Sequence, residues 1–173
     1  MTTAGAHIGE LPILMTSTTS LAGVAELYER HYETVFRAAL RVTGNPADAE
    51  DVLQTVFVRV LTRGDVEAVA LPAAYFRRAA VNAAVDVLRR RALHAEPAPD
   101  DRTLHAVQPS LLLKEQLRRA IGVLDSDDAS LFLLRHVEGL SIEELAGMFE
   151  MEKNNVTVRL HRIRQRLQAE MGR

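Results

Sequence analysis

The residues best suited to chemistry lie near the C-terminal end of the chain: Asn155, Thr157, Val158, Arg159, His161 and Arg162, followed by Arg164 and Arg166. They form no nucleophile-base constellation, so what they offer is recognition. Arginine reaches guanine edges or phosphates, asparagine pairs with adenine, and threonine or an apolar side chain meets the thymine methyl in a major groove. Between Glu152 and Arg173 there are six basic and two acidic residues. A solvated arginine face on an ordinary helix has the same composition, so the surrounding element has to decide.

Val156, Leu160, Ile163 and Leu167 recur at helical spacing and make one apolar packing stripe, with Thr157, His161 and Arg164 on the other side. Ahead of them, Ser141 and Glu144 have the spacing of a capping box, in which each side chain satisfies a free backbone N–H at the other position. A helix should start there and bury Leu145, Ala146 and Phe149. Two helices joined by a short turn, the second rich in arginine, read as a helix-turn-helix and make duplex DNA the first partner to consider.

A second cluster lies between residues 73 and 92: Tyr75, Phe76, Arg77, Arg78, Asn82, Asp86 and the run Arg89-Arg90-Arg91. Aromatic rings interleaved with arginine and asparagine suit single-stranded or opened DNA, where bases stack on rings and guanidinium groups meet phosphates. Core aromatics with a solvated basic end fit this stretch equally well. A third group, Asp51, Gln54 and Arg59, lies outside the apolar stripe of Val52, Leu53, Val56, Phe57, Val60 and Leu61 and reads locally as plain surface.

The elements that must position these residues are all helical. A long amphipathic helix is expected from Leu21 to about Val42, closed by Thr43-Gly44-Asn45-Pro46. Asn45 as N-cap and Pro46 as first helical residue announce the next helix, with Asp48 and Glu50 at its positive end. A loop over residues 62–71 precedes Pro72 and the third helix. Proline and charge without periodicity mark residues 93–109 as a flexible linker. Helix resumes at Ser110, and another helix runs from the Asp125 to Asp128 region through His136 to Gly139. The expected architecture is therefore all-α: a tail over residues 1–20, a helical domain over 21–92, the linker over 93–109, and a helix-turn-helix domain over 110–173. Met15, just ahead of the first helix, is an alternative translation start that intact-mass measurement would identify.

Composition narrows the class. The 173 residues are 47% hydrophobic but only 5% aromatic, which suits helical cores of Ala, Leu and Val. The net charge is −2, yet residues 71–92 and 152–173 each carry about +4 and residues 93–150 about −6. Two basic islands imply two contacts with a polyanion. Cysteine is absent and the six histidines are scattered without ligand spacing, so neither disulfides nor a metal site is expected, and no cofactor motif is present. No apolar run approaches the ~18 residues that span a bilayer, so a cytoplasmic protein is expected.

Three blocks in this order resemble the small two-domain sigma factors of bacterial RNA polymerase, the extracytoplasmic-function (ECF) class. Asp48-Ala49-Glu50-Asp51-Val52-Leu53-Gln54-Thr55-Val56-Phe57-Val58-Arg59-Val60 is similar to the helix that binds the polymerase clamp. The helix from Tyr75 to Arg91 is similar to the promoter-melting helix, and Leu133 to Ala146 with Val156 to Leu167 is similar to the domain that reads the upstream promoter element. The resemblance covers about residues 21–170. It implies a sigma factor, not an enzyme, that binds core RNA polymerase, melts the −10 element and reads the −35 element. Asp51, Gln54, Phe57 and Arg59 would dock on polymerase. Tyr75, Arg78, Asn82, Asp86, Arg89 and Arg90, with loop 62–71, would hold the opened −10 strand. Asn155, Thr157, Val158, Arg159, His161 and Arg162 would face the −35 duplex. The partners implied are core polymerase, promoter DNA and an anti-sigma factor, with no small-molecule substrate and no membrane insertion.

The sequence departs from the family pattern in several places. Glu150 stands where the turn usually has glycine, and Glu152 where a serine usually caps the recognition helix, so Asn154 or Asn155 could cap a later start instead. Thr157 and Val158 replace a frequent basic residue and a frequent serine, which implies a less electrostatic, more methyl-directed upstream contact. Val81 replaces a common arginine and Tyr75 a common tryptophan. A response regulator or one-component transcription factor would share the C-terminal element but needs a ligand or receiver domain, whose alternating strand-helix pattern is missing. A protein-only adaptor, with its arginines on an acidic partner, is the remaining alternative.

Overall fold

A computed structural model of the chain describes residues 21–62, 73–94 and 109–172, and every regular element among them is α-helix. The tail with Met15, loop residues 63–72 and linker residues 95–108 lie outside the described residues. The helices are α1 Leu21–Thr43, α2 Pro46–Thr62, α3 Ala73–His94, α4 Pro109–Gly122, α5 Ser126–His136, α6 Ile142–Met148 and α7 Lys153–Met171.

The boundaries follow from local chemistry. Gly44 ends α1 in a left-handed conformation, φ +69°, and donates its N–H to the Leu40 carbonyl at 2.8 Å. Asn45 then caps α2, its Oδ1 accepting the Ala47 N–H at 2.9 Å. Between α5 and α6 the chain reverses at Gly139, φ +73°, and the Arg135 guanidinium holds the Leu140 carbonyl at 2.7 Å. At Ser141 the expected capping box is present, with Glu144 N–H on Ser141 Oγ at 3.1 Å and Ser141 N–H on Glu144 Oε2 at 2.7 Å.

Helices α1, α2 and α3 pack on one another. Their contact surface is built from small and β-branched residues, Val35, Ala38, Ala39, Val52, Val56, Ala80, Val81, Ala84 and Val85, with Phe76 at the centre. Each valine or larger side chain buried in this way stabilises the fold by about 1.5–3 kcal/mol. His31 is buried as well, its ring stacked on Phe76 at 4.0 Å between centroids. In the second group, Leu131, Leu134, Leu145, Val156 and Ile163 form the core where α5, α6 and α7 meet.

The two groups touch directly. Helix α3 packs on α4 and α5, and the buried apolar residues of both groups belong to one continuous cluster. A Cβ on Gly122 would stand 2.7 Å from the Leu88 carbonyl oxygen, so the close approach of α4 to α3 depends on glycine there. Periodicity within each segment gives the helices, but it carries no information about this contact between segments.

Candidate nucleic-acid and polymerase interfaces

Helices α2 and α3 enclose a groove of about 520 Å³ lined by Asp51, Thr55, Arg59, Asp86, Arg89 and Arg90. Arg59 also borders an adjoining recess of about 270 Å³ with Tyr75, Arg78 and Asn82. The structure thus brings most of the sequence-predicted residues of both helices to one continuous surface. Arg59 and Asp86 face each other across it at 3.7 Å, both about half exposed. Arg89 and Arg90 are exposed and have no ion pair among the described residues, so positive charge is unspent at that end of α3. Gln54 is exposed on α2 but does not line the groove.

Phe57 differs from the expectation that it docks on a partner. It is 6% exposed, its ring 4.9 Å from Tyr28 and 5.9 Å from Phe76. With Tyr28 on one side and Phe76 on the other, Phe57 acts as a core strut under α2. The half-exposed ring beside it is Tyr28.

The second surface is α7. Its packing face is the expected stripe, Val156, Leu160, Ile163 and Leu167, all buried. The turn before it keeps the left-handed geometry that glycine usually supplies, with Glu150 at φ +52°. Glu152 occupies the N-cap position but makes no side-chain cap bond. Neither Asn154 nor Asn155 caps the helix. It starts at Lys153, which places both asparagines in the first turn, exposed. Thr157, Val158, His161 and Arg162 are exposed too.

Arg159 has a carboxylate partner within the protein. Its Nε donates to Asp128 Oδ1 at 2.6 Å, and Arg166 reaches Asp128 Oδ2 at 3.0 Å. Asp128, on α5, is a buried carboxylate that ties two arginines of α7 to the helix behind it. Arg159, whose side chain is one-third exposed, thus helps to hold α7 in place. Lys153 is likewise ion-paired with Glu143 at 2.8 Å. Thr157 donates its hydroxyl to the Lys153 carbonyl at 3.1 Å, and His161 shares a hydrogen bond with Gln165 at 3.1 Å.

Sequence reasoning missed the residues that join the two groups. Glu138, whose side chain is 2% exposed, sits between Arg41 of α1 at 2.8 Å and Arg77 of α3 at 3.6 Å. Arg118 of α4 donates to the Val42 carbonyl at 3.1 Å. Arg78 donates to the Met148 carbonyl and lies over the Phe149 ring at 4.6 Å, an arrangement in which a cation meets the negative face of an aromatic ring. An isolated glutamate in a turn reads as solvated, so nothing in the sequence marked Glu138 as the meeting point of two arginines.

Comparison with known proteins follows the same division. Residues 27–93 match the family model Sigma-70 region 2, and residues 114–167 match Sigma-70, region 4. The chain is 32% identical over 154 residues to the RNA polymerase sigma-E factor of Streptomyces avermitilis, covering 84% of this chain and 83% of that one. It belongs to the ECF class of sigma-70 family sigma factors. A further relative of this sigma factor is the ECF RNA polymerase sigma factor SigE of Mycolicibacterium smegmatis, 30% identical over 151 residues, covering 82% of this chain and 59% of that one. Among solved structures, CnrH in complex with the cytosolic domain of CnrY has the same fold, with a TM-score of 0.51 at 21% identity over 89% of this chain and 90% of that one. Region 2 contains the α2/α3 groove, and region 4 contains α6 and α7.

Proposed function

We propose that this sigma factor binds core RNA polymerase and confers promoter-specific initiation through two surfaces, the α2/α3 groove and the outward face of α7. The observation that carries the reading is the arrangement of Asp51, Arg59, Asp86, Arg89 and Arg90 around one groove, in a region 2 followed by a region 4. Asp51, Gln54 and Arg59 contact the polymerase, with Phe57 supporting them from within. Tyr75, Asn82, Arg89 and Arg90 hold the opened −10 strand by stacking and phosphate contact. Arg78 joins them once it is released from Met148. Asn155, Thr157, Val158, His161 and Arg162 face the −35 duplex. The protein works as a regulatory subunit with no chemistry of its own, in the cytoplasm where the polymerase is, and an anti-sigma factor is its third partner.

The test is transcription by purified core polymerase with and without this chain on a genomic promoter library. Initiation at a defined set of promoters should require the chain, and a library on which no start site depends on it would overturn the reading. For the polymerase contact, Asp51→Ala with Gln54→Ala should weaken binding to core polymerase while leaving the unfolding transition unchanged. Unaltered affinity would remove Asp51 and Gln54 from the interface.

A further inference from the structure

The outward face of α7 has an apolar centre. Successive residues of an α-helix are about 100° apart, so Val158 lies about 200° around from Val156, opposite the buried stripe. It is 49% exposed, and its neighbours on that face are Asn154, His161, Arg162 and Gln165. The adjacent Thr157 has its hydroxyl proton committed to the Lys153 carbonyl at 3.1 Å, so it can offer an outside contact its methyl or an acceptor oxygen but no donor. The cations that could dominate this end of the helix are held elsewhere, Lys153 by Glu143 at 2.8 Å and Arg159 by Asp128 at 2.6 Å.

We propose that Val158, assisted by the Thr157 methyl, is a specificity determinant that reads thymine in the upstream element through its 5-methyl group. The inference rests on α7 being the helix that enters the upstream major groove. In that groove the thymine methyl is the apolar group a base pair presents, and an aliphatic side chain is its complement. A protein-docking face would extend the apolar surface beyond one residue. The other large exposed hydrophobics of the described residues lie off α7: Tyr28, Tyr32, Val58, Leu93, Leu111, Leu113 and Val123. One valine ringed by asparagine, histidine and arginine fits a single methyl among hydrogen-bonding base edges.

The experiment uses holoenzyme assembled from core polymerase and the full chain. An upstream element is selected from duplex DNA randomised in that region, and each thymine in it is then replaced by deoxyuridine, which removes the methyl and leaves the pairing edge intact. One or two positions should lose about three- to five-fold in affinity, the effect expected for one buried methyl-sized group. Holoenzyme carrying Val158→Ala should bind the thymine element as weakly as the wild type binds its deoxyuridine counterpart, with little further loss on replacement. Thr157→Ser, which keeps the hydroxyl, should reduce the loss in part.

Indifference of the wild type to deoxyuridine at every upstream position overturns the inference, as does a selected element without thymine on either strand. So does a loss that persists undiminished in Val158→Ala, or a Val158→Ala variant that binds core polymerase less tightly without DNA, which would place the valine in a protein contact. A selection that recovers no upstream preference overturns the promoter-reading role of α7 and this inference with it. A recovered element insensitive to the methyl overturns the inference alone.

Discussion

Glu150 holds a left-handed backbone conformation at φ +52° that side chains with a Cβ adopt at a cost of about 1–2 kcal/mol. Glu150→Gly should therefore stabilise the protein by about 1 kcal/mol, less whatever the added freedom of the unfolded chain removes, and urea unfolding will measure it. A destabilised variant would mean that the Glu150 side chain makes a compensating contribution. Asp128 presents the opposite case. It accepts from Arg159 and Arg166 while buried, and Asp128→Ala should cost about 1–3 kcal/mol because Arg159 loses its carboxylate partner and Arg166 keeps only the longer contact to Asp125 at 3.5 Å. Phe57→Ala should cost about 3–5 kcal/mol as a core truncation, so any loss of polymerase affinity in that variant reports folding before it reports docking.

At the scale of elements, the helices and their ends were legible because their signals are local. The Ser141 and Glu144 pair, Asn45 before Pro46, and the stripe from Val156 to Leu167 each lie within a few residues of what they specify. The Arg159–Asp128 pair is not legible in the sequence because the partners are 31 positions apart, and a run of arginines at helical spacing looks the same whether it faces a phosphate or a carboxylate. Spacing marks none of the histidines, yet His31 on α1 and His136 on α5 both have pKa values lowered from the ordinary imidazole value, His31 chiefly through burial and His136, whose ring keeps an exposed side, first through partial desolvation. Arg30 adds to the shift at His31, and Arg164 and Arg135 add to it at His136. A folded-state pKa below the unfolded one means that the unfolded chain binds protons more readily. Their contribution to stability is thus fully present above the unfolded value near 6.5 and is lost as the pH falls through the lower folded values. The unfolding midpoint should drop on acidification from about pH 7 to pH 5, and His31→Gln should flatten part of that slope. A slope unchanged by the substitution would assign the acid sensitivity elsewhere.

For the whole molecule, the unexpected property is that regions 2 and 4 pack together through Gly122, Glu138, Arg118 and Arg78. Gly122→Ala places a Cβ where the Leu88 carbonyl oxygen stands 2.7 Å away, and Glu138→Ala removes the carboxylate between Arg41 and Arg77. Either substitution should enlarge the radius of gyration seen by small-angle X-ray scattering while helicity stays the same, and the double substitution should enlarge it further. Scattering curves identical to the parent would show that the remaining apolar contact suffices. Arg78 cannot lie against Met148 and Phe149 and also grip a nucleotide. If Arg78 grips DNA, compaction and strand capture therefore compete for one guanidinium and are thermodynamically linked, so the free energy that holds the two regions together is subtracted from the apparent affinity for opened DNA. By reciprocity, a partner that favours separation of the regions raises that affinity by the same factor by which opened DNA tightens the partner's own binding.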